Sequence, residues 1–373
     1  MDGSSKLGPL DAAGCCEIGN SEQDRQVAPL GAPDSGAGGD SYIRLLQLRP
    51  GAESDIVEFE LCGADLRLKP HYEALSYEWR DRVGLVPVPC SGRYMLVTPN
   101  LKSALTKIRL KDEVRTLWVD AVCINQEDVP ERSQQVATMG SIFGDASPVI
   151  MWLGEEFLHT ESGFVALGLF AKVYDLLDGT DMWHPGLEAV TLQPGTSEYQ
   201  VVSSILHELL DDCAAHSHGL EDFFQRTPLT RAWILQEIVL AKEATLVCGS
   251  VQSDWDTARK ALWVIYFRIG ILGNQLGARA ALQEVISATI AHSLSGWLGY
   301  AGDFGASDPR DKIYAVLALR MWPDKKPFAA DYSLPVEEVY TFATRYYMEE
   351  TQKLSFWWDR NGRREKKIAR LPS

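Results

Sequence analysis

Apolar and polar positions divide the chain into an aperiodic start, an alternating strand–helix core and a helix-rich remainder. Residues 1–40 are rich in Gly, Ser, Ala, Asp and Pro without periodicity, which predicts a disordered segment. From Tyr42 the pattern changes. Ile43, Leu45 and Leu48, then Ile56, Phe59 and Leu61, predict two strands around a turn at Pro50-Gly51. Tyr72–Trp79 reads as a strand entering a polar loop. Thr98-Pro99 opens a helix whose Leu101, Ala104, Leu105 and Ile108 fall at helical spacing. The apolar run 116–124 predicts another strand, with Asp120 as a lone acid inside it and Asn125-Gln126 at its carboxyl end. Asp128, Pro130 and Glu131 then supply an N-cap, a first-turn proline and a capping-box acid. The helix they start buries Val136, Met139, Ile142 and Phe143 on one stripe, and Pro148–Leu153 forms the next strand.

Strand, helix, strand, helix, strand in about eighty residues is the signature of a parallel α/β sheet. In such sheets ligands bind outside the carboxyl ends of the strands. Ser76, Tyr77 and Trp79 end one strand, and Asn125 ends another, so these side chains are candidates to meet a ligand. Asp120 is a candidate too, because a buried carboxylate needs partners. Its alternative is a hydrogen bond to a neighbouring loop or to Arg132. Asn125 has the alternative of capping the helix that follows.

Residues 157–222 read as mostly helical, with a loose stretch near 179–198. Pro228 begins a helix carrying Leu229, Trp233 and Glu237, and Ala244–Cys248 is a strand. Helices dominate from residue 254, including Asp311–Leu319 and Val336–Glu349. Asp308-Pro309 reads as an N-cap with a first-turn proline, and Arg310-Asp311 as a structural clasp. The expected organisation is a disordered segment over 1–40, an α/β domain over 41–250, a helical region over 251–350 packed against it, and a basic tail over 351–373.

Charge narrows the partners. The 373 residues hold 36 basic and 51 acidic side chains, a net charge of −15, which argues against general nucleic-acid or membrane-surface binding. Only Arg360–Arg370 runs the other way, as a solvated end. The most apolar windows are broken by Lys172, Asp175 and Arg268, so no membrane span is expected. Seven scattered cysteines without a paired C-x-x-C suggest neither a disulfide framework nor a zinc site. His216 and His218 lack any accompanying ligand pattern. No secretory signal is visible, and a soluble, cytoplasmic setting is the default. The dinucleotide fingerprint, the phosphate loop and the nucleophile elbow are all missing from the sequence, against a Rossmann dehydrogenase, a P-loop NTPase or a serine hydrolase.

Five segments together resemble the fungal heterokaryon-incompatibility (HET) domain. They are Tyr72-Glu-Ala-Leu-Ser-Tyr-Glu-Trp79, Leu117-Trp-Val-Asp-Ala-Val-Cys-Ile-Asn-Gln126, Glu131-Arg-Ser-Gln-Gln-Val136 with Met139, Val149-Ile-Met-Trp-Leu-Gly154, and Arg231-Ala-Trp-Ile-Leu-Gln-Glu237. Downstream, Asp308-Pro-Arg-Asp-Lys-Ile-Tyr314 and Asp331-Tyr332-Ser333 resemble the segment that commonly follows such domains. Where the family usually has Trp-Gly, this chain has Trp79-Arg80.

The resemblance implies a role in nonself recognition and regulated cell death after hyphal fusion. It also implies a distant similarity to TIR domains, whose fold is a flavodoxin-like parallel sheet flanked by helices. Some TIR domains cleave NAD through a glutamate in a Trp-Cys-x-x-Glu helix. Trp233 and Glu237 share that spacing, with Ile234 in place of the cysteine. By this resemblance Glu237 is the candidate catalytic residue, Trp233 a substrate-binding one, and NAD a substrate rather than a cofactor. Residues four apart share a helix face, so the pair could line one wall of a pocket. The alternative is a core Trp233 and a Glu237 paired with Arg231 or another nearby base. For the whole protein the alternatives are an NAD hydrolase and a non-catalytic module. The latter acts by homotypic self-association, with other incompatibility or signalling proteins as further partners.

Overall fold

The computed structural model describes residues 41–79, 84–177, 195–211, 213–267, 297–298, 301–302, 304–319 and 328–351. The expected disordered start, the loose stretch near 179–198 and the basic tail fall outside these residues almost entirely, as does Arg80.

Among the described residues nine strands form one sheet flanked by helices. They are β1 (Tyr42–Leu48), β2 (Phe59–Asp65), β3 (Glu73–Ser76), β4 (Val86–Cys90), β5 (Arg93–Val97), β6 (Arg115–Trp118), β7 (Val149–Trp152), β8 (Ala244–Cys248) and β9 (Val251–Asp254). Their order across the sheet is β5-β4-β2-β1-β6-β3-β7-β8-β9. The inner strands β6, β3, β7 and β8 are mutually parallel. Helix α1 (Pro99–Ile108) lies between β3 and β6 in the chain, and α3 (Val129–Asp145) between β6 and β7.

Numbered along the chain, the parallel strands stand second, first, third, fourth, which is the doubly wound order of flavodoxin-like sheets. The order reverses between β3 and β7. Ser76, Trp118, Trp152 and Cys248 mark the common carboxyl end.

The sheet is not parallel throughout. The pairs β1–β2, β4–β5 and β8–β9 are antiparallel, and β1 also runs antiparallel to β6. The β4–β5 hairpin escaped the sequence pattern because Pro87 and Pro89 argue against a strand. Its two-residue turn, Ser91-Gly92, has positive φ at both positions (50° and 79°), as a hairpin turn of this type requires. That register puts both prolines at non-hydrogen-bonded positions of the β5 ladder, so their missing N–H groups face β2. There β4 meets its neighbour through a single residue pair, Phe59 with Cys90.

A second correction concerns 116–124. The strand ends at Trp118, and Asp120–Cys123 forms one helical turn, α2. The Val119 carbonyl accepts from both Val122 N–H (3.0 Å) and Cys123 N–H (2.7 Å). An apolar turn buried on both sides has the same composition as a buried strand, so periodicity could not separate them.

Beyond β7 come α4 (Thr160–Leu177), α5 (Ser197–Asp211), α6 (Cys213–Gln225) and the six-residue α7 (Ile234–Val239). Pro228 opens a 3-10 turn, not the helix that carries Glu237. Thr227–Thr230 ends at Arg231, and α7 begins only at Ile234. Helix α8 (Trp255–Phe267), the single turn α9 (Asp311–Tyr314) and α10 (Val336–Thr351) complete the described elements. A hydrophobic cluster runs from Ile43 on β1 through Leu75, Trp118 and Met151 to Val339 and Ala343 on α10. Among the described residues no helix is long and apolar enough to cross a membrane.

Asn100, buried in the first turn of α1, ties this frame to the carboxyl end of the sheet. Its amide donates to Glu78 O at 2.7 Å and accepts from Trp152 Nε1 at 3.0 Å. Asn100→Ala leaves a buried indole N–H and the Glu78 carbonyl without that partner. The expected loss is about 1–3 kcal/mol in urea unfolding; an unchanged midpoint would show that the amide carries no weight.

Candidate functional site

Ser76 is the last residue of β3, and its hydroxyl donates to Glu237 Oε2 from α7. The other carboxylate oxygen, Oε1, lies 3.9 Å from Arg231 Nη2. Arg231 also donates from Nη1 to Tyr77 O. One carboxylate therefore bridges the end of a central strand and the loop before its own helix. Its side chain is 3% exposed, whereas that of Arg231 is 20% exposed.

Asp120 stands on the neighbouring strand exit, at the start of α2. Trp79 Nε1 donates to both its carboxylate oxygens, at 2.9 and 3.0 Å. Ala121 N–H donates to Oδ1 at 2.7 Å, and Gln126 Nε2 donates to Asp120 O at 2.9 Å. Of the two partners foreseen for Asp120, a neighbouring loop and Arg132, the loop after β3 supplies one through Trp79, and the nearby charge is that of Arg231. Arg132 lies instead over the ring of Tyr332 at 4.0 Å.

Burial pushes Glu237 above the ordinary glutamate range. The Arg231 charge and the Ser76 hydrogen bond oppose that push, and the Asp120 charge adds to it. Asp120 is raised in the same way by desolvation, against Arg231, Trp79 and the Ala121 N–H. Two acids share one guanidinium. Such a centre favours the presence of a single negative charge, and it holds a proton more readily than isolated carboxylates do.

Five of the seven predicted site residues converge here: Ser76 and Glu237 in direct contact, Tyr77 through its carbonyl, and Trp79 with Asp120 alongside. Two do not. Asn125 is exposed; its side chain accepts from Glu127 N–H at 3.2 Å and its own N–H donates to Glu131 Oε1 at 2.8 Å, so it shapes the turn into α3. The helix cap itself is Asp128, which accepts from Glu131 N–H at 3.0 Å.

Trp233 sits just before α7, and its indole acts on the Asp311 carboxyl, favouring its charged form. The four-residue spacing holds in the backbone, where Glu237 N–H donates to Trp233 O at 3.1 Å. No contact joins the indole to the carboxylate. Sequence reasoning gave Arg231 only a pairing role. Its bonds to Tyr77 and its charge on Asp120 make it the hub of the centre. Among the described residues no cluster of three or more His, Cys, Asp or Glu side chains could hold a metal ion.

The pKa directions have a sign that can be tested. A carboxyl whose folded-state pKa is raised binds its proton more tightly when folded, so its contribution is full below the unfolded pKa. That contribution is lost as pH rises through the folded value. Glu237→Gln removes one such group. The unfolding free energy of the variant, relative to the native protein, should shift in its favour as pH rises from about 4 to about 8. A difference that does not vary with pH would contradict the assignment.

Residues 72–237 match the family model described as heterokaryon incompatibility protein (HET). Over 227 residues the chain is 28% identical to Heterokaryon incompatibility protein 6, OR allele, of Neurospora crassa, an alignment covering 56% of this chain and 33% of that protein. The chain thus spans about a third of that relative's length in the alignment. No solved structure matches. The match begins at Tyr72, which leads into β3, and ends at Glu237 itself, so it encloses both sides of the Ser76–Glu237 contact. The centre built from Ser76, Asp120, Arg231 and Glu237 lies wholly within the residues that match the HET family model.

Proposed function

We propose that this chain acts in heterokaryon incompatibility as an effector of regulated cell death, and that it does so by hydrolysing the nicotinamide–ribose bond of NAD. The role rests on the HET match and on a relative named for heterokaryon incompatibility. The chemistry rests on one observation: α7 carries Glu237 across to Ser76 at the carboxyl end of β3, beside the point where the strand order reverses.

Breaking the glycosidic C–N bond expels nicotinamide and builds positive charge on the ribose, which water then quenches. A carboxylate held next to the ribose stabilises that charge. In the described state Glu237 is closed off, so substrate entry requires Arg231 to leave it. The 3.9 Å pair is too long for a hydrogen bond and is the weaker of the two contacts. The cationic ring of NAD would then replace the guanidinium charge beside Glu237, and Arg231 would be free to face the diphosphate. The protein would act in the cytoplasm, with self-association as the event that opens the centre.

A second reading draws on the same closure. A carboxylate with both oxygens engaged is also what a structural pin looks like. In that reading the HET domain is a homotypic assembly module whose oligomerisation is itself toxic.

The test follows nicotinamide release from NAD by the full chain, dilute and under crowding that forces assembly. Enzymatic function predicts turnover in the assembled state and its loss by about a hundredfold or more in folded Glu237→Gln. No turnover in either state, with Glu237→Gln still toxic in cells, would overturn hydrolysis and leave the assembly reading standing.

A further inference from the structure

Arg231 and Glu237 are also held from outside the HET match. The Gly305 N–H donates to Thr230 O at 2.7 Å, and Ala232 N–H donates to Gly305 O at 2.8 Å. These two bonds bracket Arg231 in an isolated parallel bridge. Two residues after Arg231, the Trp233 indole stands beside Asp311 and favours its charged form. Asp311 accepts in addition from the Tyr332 hydroxyl at 2.5 Å.

Tyr332 is itself fixed to α3. Its N–H donates to Ser133 Oγ at 3.0 Å, and its ring carries the Arg132 guanidinium at 4.0 Å and that of Arg310 at 5.2 Å. Arg310 ties the segment to itself through Asp308, Tyr332 O and Leu334 O. One turn further along α7, the Gln236 amide lies between Ala315 O and Gly140 N–H, and with its oxygen and nitrogen exchanged it donates to the first at 3.2 Å and accepts from the second at 2.8 Å. A six-residue helix has little stability of its own. Its position is therefore set by what binds it, and Gly305, Asp311 and Ala315 all come from one downstream stretch.

We propose that the described residues of 304–319 and 328–334 form a positioning strap for the HET centre, in which Gly305 and Asp311 set where Arg231 stands against Glu237. Gly305 and Asp311 are positioning residues and touch neither acid of the centre. The strap lies beyond the match over 72–237, so a HET domain cut at that boundary keeps Glu237 but loses what aligns it. A partner that lifts the strap would release Arg231 and open the carboxylate. The inference goes beyond NAD hydrolysis and holds equally for an assembly module.

The groups facing Glu237 are Ser76, Arg231 and Asp120; those facing Asp311 are Tyr332, Trp233, Asp308 and Arg132. Loosening the strap weakens the Arg231 charge at Glu237, and that charge is what opposes burial there. The experiment titrates the Glu237 carboxyl by NMR in the full chain labelled with 13C at the glutamate carboxyls, the signal being assigned with Glu237→Gln. Asp311→Asn keeps the volume of the acid, and Trp233→Phe removes only the indole donor and part of the ring.

Both variants should move the Glu237 midpoint upward by about half a unit or more. Both should also speed amide exchange at Ala232 by about tenfold. Tyr340→Phe is the control, because the Tyr340 hydroxyl reaches Pro309 O (2.9 Å) on the strap without touching α7. It should change neither readout. If Asp311→Asn does not fold, Trp233→Phe carries the test alone. An unmoved midpoint in a folded Trp233→Phe, or an equal shift in Tyr340→Phe, would overturn the strap.

Discussion

Removing the Glu237 carboxylate from water is the constraint on which the centre depends. A buried carboxylate is costly unless hydrogen bonds and charge compensate it. Compensation comes from three directions here: Ser76 at the end of a parallel strand, Arg231 from the loop before α7, and the strap that fixes that loop. Only Arg231 is local in sequence; the other two are not. Ser76 and Glu237 are 161 residues apart, and Gly305 lies far beyond both. The centre is therefore a product of the complete fold.

The doubly wound order explains why the contact forms at this spot. Connections leave β3 toward β6 and leave β7 toward β8, so the chain parts between β3 and β7 at the carboxyl end. Asn100 holds the Glu78 carbonyl to Trp152 across the same two strands. Asp120, on the other side of β3, adds a second desolvated acid and makes Arg231 a shared resource. A centre with two acids and one guanidinium is sensitive to whatever moves the guanidinium. The proposed catalysis in an opened state and the proposed control by the downstream strap both draw on that sensitivity.

Much of this was legible in the residues, and the failures have physical causes. The strands β3, β7 and β8 and the helices α1 and α3 carry periodicity, caps and prolines that point one way. At β6 the pattern ran on past Trp118, because the buried turn of α2 is as apolar as the strand before it. The β4–β5 hairpin was hidden by Pro87 and Pro89, which a strand tolerates only where no donor is needed. Asp120 was visible as a lone acid in an apolar run, Ser76 by its place at a strand end, and Glu237 only through the resemblance to a TIR glutamate. Their being joined through Arg231 was not, since no local rule reports a contact across 161 residues. The spacing of Trp233 and Glu237 holds in the backbone, but it could not report what the indole of Trp233 meets. The partner of its indole, Asp311, belongs to a segment that looked like a clasp of its own.

The central claim is that Ser76 and Glu237 hold each other across the carboxyl end of the sheet. A double-mutant cycle in urea unfolding at neutral pH, built from Ser76→Ala, Glu237→Ala and the pair, tests it most directly. The account predicts a coupling energy of about 1 kcal/mol or more between the two sites. Additive losses, with coupling within about 0.3 kcal/mol of zero, would mean that the two side chains do not interact and would contradict the account.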